Sequence, residues 1–277
     1  MKRPAFRPYI AFSACFLLVS TLFVSCKWKG GGAGTDHGQS STETRDIVSE
    51  CQDSLHIANM PDGPLHIEYD IRFLKSDGLV ADSINATIAQ FLVSGRRDTD
   101  IRQAIMNGIV DEEKSLLAEM QEYYDPDDET YGQQEYTIVR TGRFDTDALD
   151  SVIVYKAAID MYTGGAHGTY TPFTLNFSRR TGCRILPSDI FNMKQEQAIL
   201  DLMMVQLLRD NDCTTREELM ERTCLLTLGD LSLTPNFQLG SQGVTFCFGQ
   251  YEIAPYSAGI TYLTLGYDVL EPYLKKQ

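Results

Sequence analysis

The most regular pattern of apolar and polar positions lies between Leu65 and Phe73, where every second residue is apolar. This alternation predicts a strand with one buried face. Strand-like patterns recur over residues 136–144, 151–161, 169–178, 184–186, 236–239, 244–248 and 260–266. Helical spacing of apolar residues predicts helices from Asp82 or Ser83 to 92, over 99–123, from 187 to about 206 and over 215–228, with a helical tail at 268–274. Because strands and helices cluster rather than alternate, we expect an α+β protein of two small α/β sandwich-like domains with antiparallel sheets packed on helices.

The N-terminal residues have the pattern of a secretory signal. Three basic residues precede an apolar stretch over residues 10–24, which is too short for a comfortable membrane span. Phe23-Val24-Ser25-Cys26 then resembles the lipobox of bacterial lipoproteins, and this implies lipidation of Cys26 after removal of residues 1–25. The alternative is an ordinary signal peptide cut near Ser25.

A glycine-rich and Ser/Thr-rich stretch over residues 30–44 follows Cys26. Such a composition buries little apolar area, so we expect residues 26–61 to be a flexible tether. The rest of the chain is expected to form an N-terminal α+β domain over residues 62–135 and a C-terminal one over residues 136–277.

The charge of the chain limits the classes of partner that it is expected to bind. It has 24 basic and 38 acidic residues, a formal charge of −14. Residues 1–25 hold three basic and no acidic residues, so the chain from Cys26 onward carries −17. This composition argues against nucleic acid and favours neutral or cationic partners. With a lipid anchor it indicates a bacterial envelope protein that faces the periplasm or the exterior.

The most distinctive string for chemistry is Thr163-Gly-Gly-Ala-His167-Gly-Thr-Tyr170. Its glycines indicate backbone with positive φ or close approach by another segment. His167 either fixes this turn through a backbone carbonyl or contacts a ligand, and Tyr170 is a candidate ligand contact beside it.

A second string is Gln250-Tyr-Glu252-Ile-Ala-Pro-Tyr256-Ser-Ala-Gly259. Glu252 would form an acid/base pair with His167 if the fold brought them together, and Tyr256 is a further candidate ligand contact. The alternative is that Pro255 and Gly259 shape a bend on which the tyrosines pack.

We predict no metal site, cofactor or catalytic residue from the sequence. Acidic residues near positions 125–129 lack the glycine and glutamate of a calcium loop. No cysteine and histidine spacing matches a zinc site. Disulfide pairing stays open among the five cysteines that follow Cys26, namely Cys51, Cys183, Cys213, Cys224 and Cys247.

These two strings, together with Thr181-Gly182 and the segment from Ile185 to Phe191, resemble the bacterial envelope domain of unknown function 3298. Residues 62–135 resemble its usual companion, domain of unknown function 4163. The resemblance extends to the ectodomain of a lysozyme-sensing anti-sigma factor and to the accessory region of a peptidoglycan deacetylase. It implies a non-catalytic module that binds a cell-wall glycan or a protein such as lysozyme. The alternative is an envelope hydrolase that uses His167 and Glu252.

Overall fold

The computed structural model describes residues 52–58, 65–75, 78–93, 100–123 and 136–276. The predicted signal peptide, Cys26 and most of the predicted tether lie outside these residues. Among the helices that are described, none has the length and apolarity needed to cross a membrane.

The larger sheet of the described chain has six strands in sequence order: β1 (Gln52–Ala58), β2 (Leu65–Leu74), β3 (Tyr136–Asp145), β4 (Val152–Tyr162), β5 (Thr169–Ser178) and β6 (Arg184–Ile185). Helices α1 (Leu79–Leu92) and α2 (Ile101–Tyr123) connect β2 to β3. Because the chain crosses back over the sheet through these helices, β2 and β3 are parallel, whereas the other neighbours are antiparallel. The α+β class is confirmed, with this one parallel pair as a difference.

The first core lies between one face of this sheet and helices α1 and α2. The alternating residues of β2 from Leu65 to Phe73 are all buried there, as the sequence pattern predicts. This core also encloses an ion pair, in which the Arg140 guanidinium binds the Glu112 carboxylate with two contacts of 2.5 and 2.6 Å. The Tyr69 hydroxyl donates to the same carboxylate at 2.7 Å. Glu112 therefore joins α2 to β2 and β3.

A second, smaller sheet contains β7 (Phe237–Leu239), β8 (Gly243–Phe248) and β9 (Thr261–Gly266). The short α3 (Pro187–Ile190) precedes α4 (Glu196–Asp210), which packs on β9, and α5 (Arg216–Thr223) follows; α6 (Tyr267–Leu270) comes after β9. The second core fills the space behind this sheet and its helices.

The two cores meet at β4. Its first residues are buried on both faces, with Ile153 and Tyr155 in the first core and Val152 and Val154 in the second. Alternate side chains of a strand point to opposite faces, so β4 serves both cores. The predicted domain boundary between residues 135 and 136 therefore falls inside one sheet.

Three other predicted boundaries differ from those in the structure. Strand β1 lies within residues 26–61, so the predicted tether is shorter, because Gln52–Ala58 pairs with β2. Helix α1 begins after Gly78 rather than at Asp82 or Ser83. The helix expected from Pro187 is interrupted, because Phe191 is extended and pairs with Leu274.

Three asparagine side chains join separate elements by imitating a peptide unit, donating and accepting at once. Asn85 of α1 bonds to both backbone groups of Leu74 at the end of β2. Asn176 of β5 donates to the Phe237 carbonyl and accepts from the Leu239 N–H. Asn236 donates to the Pro172 carbonyl and accepts from the Thr174 N–H. The last two fix the small sheet against β5.

Candidate functional site

The structure brings the two distinctive strings together at the surface. The loop between β4 and β5 places the His167 ring on Tyr256, with ring centroids 3.8 Å apart and planes 17° apart. Tyr251 lies beside both rings, with its centroid 6.3 Å from His167 and 6.0 Å from Tyr256. We call these three side chains the aromatic cluster.

Both ring nitrogens of His167 contact protein atoms. Nδ1 lies 3.0 Å from the Gly168 carbonyl, and Nε2 lies 3.2 Å from the Tyr251 hydroxyl. A carbonyl oxygen only accepts, so Nδ1 carries a hydrogen, and the Tyr251 hydroxyl can donate to Nε2. These contacts fix the orientation of the imidazole, although His167 as a whole is an exposed residue.

Backbone conformation explains why the cluster needs glycines. Gly164 and Gly165 have φ of 88° and 90°, as predicted from their spacing. A Cβ on Gly168 would stand 2.9 Å from the Met161 carbonyl oxygen, so this position requires close approach. In the other loop Tyr251 has φ of 63°, a costly conformation for a tyrosine that aims its ring at His167.

Glu252 is placed differently from the predicted acid/base arrangement. Its Oε2 accepts the Gly249 N–H at 2.6 Å, so the carboxylate closes its own turn. The acid/base proposal needs a hydrogen bond between Glu252 and His167. Instead, the Tyr251 hydroxyl contacts Nε2 of His167, and the Gly249 N–H donates to Oε2 of Glu252.

Tyr170 connects the aromatic cluster to a larger concave surface. Its backbone N–H donates to the Gln250 side chain at 3.1 Å, which holds the two loops together. Tyr170 is 43% exposed and lines a groove of about 650 Å³ between the two sheets.

Side chains from both sheets line this groove. The outward face of the large sheet contributes Arg72, Arg143, Lys156 and Tyr170, and the small sheet contributes Gln238, Thr245, Cys247 and Tyr262. Tyr262 is 58% exposed, so two tyrosine rings are available as flat apolar surfaces among polar groups. This combination suits a ligand that carries both apolar faces and hydroxyl groups.

The ionisable groups of the small sheet have pKa values that keep them uncharged at neutral pH. Burial raises the pKa of the Cys247 thiol to about 11, and desolvation raises that of Tyr262 to about 12. A thiol with so high a pKa is a poor nucleophile. Cys247 therefore lines the groove and is not a reactive centre.

The described cysteines, Cys183, Cys213, Cys224 and Cys247, are all free. Cys51 lies outside the described residues. Within the described segments, no group of three His, Cys, Asp or Glu side chains is arranged to hold a metal ion.

Sequence reasoning missed the basic residues and Tyr262 of the groove. The alternation in β2 already puts Arg72 on the face opposite the core. That signal could show exposure, but only the pairing of strands could show that these side chains converge.

Comparison with known proteins identifies the C-terminal part of the chain. Residues 188–268 match the model of a protein of unknown function (DUF3298), within the predicted 136–277 region. A DUF3298 domain at the C-terminus is thus confirmed, and it includes the small sheet, Glu252 and Tyr256. No curated protein matches the chain.

Two solved structures share the fold over most of the chain. A DUF3298 family member from Bacteroides fragilis NCTC 9343 has a TM-score of 0.73 at 23% identity, covering 81% of this chain and 93% of its own. A DUF3298 family protein from Pseudomonas aeruginosa PAO1 has a TM-score of 0.57 at 17% identity, covering 81% and 94%. At these identities the likeness concerns the fold.

Proposed function

We propose that this chain is a lipid-anchored protein of the bacterial envelope whose groove binds a cell-wall glycan without catalysis. The observation that carries the proposal is the groove between the sheets, with Tyr170 and Tyr262 exposed beside polar side chains. Sugar rings have apolar faces that pack on aromatic rings and hydroxyl groups that bond to polar neighbours. The aromatic cluster adjoins the groove at Tyr170 and extends the same kind of surface.

In this proposal residues 62–135 act as the companion 4163-like part and Cys26 carries the anchor. The apolar stretch of residues 10–24 is short for a bilayer, so retention at the membrane depends on lipid. Cys26→Ala should therefore abolish lipid labelling and release the chain into the soluble fraction, whereas Cys51→Ala should change neither. Membrane retention of unlabelled Cys26→Ala protein would contradict the anchor.

Glycan binding is tested by co-sedimentation of the purified full chain with insoluble peptidoglycan. Truncating an aromatic contact at the centre of a binding surface commonly costs about tenfold or more in affinity, and we expect this for Tyr262→Ala. Val205→Ala, an exposed apolar residue on α4, is the matched control. The proposal is wrong if the wild-type chain does not sediment, or if both variants sediment equally.

The same incubation separates binding from hydrolysis. An envelope hydrolase would release soluble fragments from peptidoglycan in a manner that His167→Ala abolishes. We expect no release, because the His167 nitrogens and the Glu252 carboxylate already contact protein atoms.

A second candidate partner is a cationic protein such as lysozyme. The charge of −17 after Cys26 favours this partner through long-range attraction. Binding of this kind should weaken steeply when added salt reduces the Debye length below about 8 Å. Glycan stacking on Tyr262 should depend much less on salt.

A further inference from the structure

We propose that the groove recognises an anionic group of its ligand, a carboxylate or phosphate carried by a glycan, through Arg72, Arg143 and Lys156. This inference rests on the proposed glycan binding and specifies its chemistry. We call the three residues the basic row.

The basic row follows from strand register. Arg143 of β3 lies directly opposite Lys156 of β4. Arg72 of β2 and Arg143 each come immediately after Ile71 and Gly142, the last pair of the parallel β2–β3 ladder. All three side chains line the groove, so they form adjacent positions on one face of three neighbouring strands.

Like charges directly opposite each other on neighbouring strands destabilise a sheet. Lys156 is compensated by Asp145 at 2.5 Å, and Asp70 lies two residues before Arg72 on the same face. Within the described residues neither Arg72 nor Arg143 has an ion pair with a carboxylate, and both side chains are exposed. The row therefore places two arginine residues without carboxylate partners at adjacent positions of neighbouring strands.

This concentration of positive charge is unusual for the chain as a whole, in which acidic residues outnumber basic ones by 38 to 24. Paired guanidinium groups offer forked donors that match the oxygens of a carboxylate or phosphate. A second hollow of about 290 Å³ at the β3–β4 turn, lined by Arg143, Asp145 and Lys156, extends the groove at this end. An anion at this position would remove the repulsion within the row, whereas Tyr170 and Tyr262 would contact the sugar rings.

The test uses three polymers with the purified full chain: alginate oligosaccharide for a carboxylate carried by a glycan, poly(glycerol phosphate) for phosphate without a sugar ring, and chitohexaose as a neutral glycan. Arg143→Gln keeps the side-chain length but removes the charge. We expect it to weaken binding of at least one anionic chain about tenfold, the loss typical of one charge-assisted contact, and to weaken chitohexaose binding much less, because a neutral glycan makes no charge-assisted contact. Arg209→Gln on α4 removes the same charge away from the groove and should have no effect. The polymer whose affinity falls in Arg143→Gln shows whether the groove recognises a carboxylate or a phosphate.

A measurement without saccharide gives an independent readout. Inorganic phosphate should raise the melting temperature of the wild-type chain more than that of Arg143→Gln, and Arg209→Gln should match the wild type. Equal effects of the two substitutions in both experiments would overturn the basic row but leave glycan binding intact if chitohexaose still binds. Failure of all three polymers to bind would overturn the proposed function and this inference together.

Discussion

Asn176 and Asn236 form the same pair of hydrogen bonds in different environments. Comparing the two therefore tests how much burial increases the cost of losing these bonds. Each amide donates to one backbone carbonyl and accepts from one backbone N–H across the boundary between β5 and the small sheet. Asn176 is 1% exposed, and its partners belong to the buried residues Phe237 and Leu239. Asn236 is half-buried, and so are its partners Pro172 and Thr174.

Asn176→Ala leaves a carbonyl and an N–H without partners in the interior. Each orphaned group costs about 1–3 kcal/mol, so we expect a loss of about 2–6 kcal/mol in the free energy of unfolding. For Asn236→Ala water can replace the amide, and we expect about 1 kcal/mol. With about 2–4 °C per kcal/mol for a chain of this size, the two melting temperatures should differ clearly.

The assay is urea and thermal unfolding followed by far-UV circular dichroism. Equal losses for Asn176→Ala and Asn236→Ala would refute the reasoning from burial.

Asn176→Asp adds a test with a pH signature. A carboxylate at this position would face the Phe237 carbonyl in a desolvated site, which raises its pKa. A raised pKa in the folded state favours folding at low pH and is lost as pH rises through it. As the pH falls through this raised pKa toward the ordinary carboxyl range, Asn176→Asp should therefore gain stability relative to the wild type. No such gain would show that the site is hydrated.

Three further predictions concern ionisable groups. Glu112→Ala should lower the free energy of unfolding in urea by about 3–5 kcal/mol, because it leaves Arg140 charged and buried. Adding Arg140→Met to this variant should recover much of the loss. No recovery would contradict the explanation by an unpaired buried charge. Hydrogen bonds from Ser241 lower the pKa of the Asp147 carboxyl. These bonds therefore stabilise the folded chain at pH values above the ordinary carboxyl pKa, and this stabilisation is lost as the pH falls through the lowered pKa. Asp147→Asn should thus reduce the fall of the melting temperature at acid pH. An unchanged fall would exclude this role of Asp147. Because burial raises the pKa of Cys247 to about 11, Cys247→Ser should leave the number of thiols that react rapidly at about pH 8 unchanged.

The sequence alone determined most elements and the faces they bury. The alternation from Leu65 to Phe73 identifies β2 and its core face because both depend on side chains two residues apart. The glycines at 164 and 165 predict positive φ for an equally local reason, the absence of a Cβ. The strings at residues 163–170 and 250–259 were also recognisable as candidates, since each combines turn-forming glycine or proline with histidine, tyrosine or glutamate.

Only the tertiary structure decided how these elements meet. Strand β1 has a weak pattern of its own and is defined by its pairing with β2, so its sequence alone suggested a tether. The stacking of His167 on Tyr256 joins residues far apart in the chain, and it leaves Glu252 bonded within its own loop. The basic row depends on the register of β2, β3 and β4, since a shift by one residue would turn its side chains to the other face. Register and packing are set by contacts across the whole fold, and for that reason the groove is absent from any local pattern.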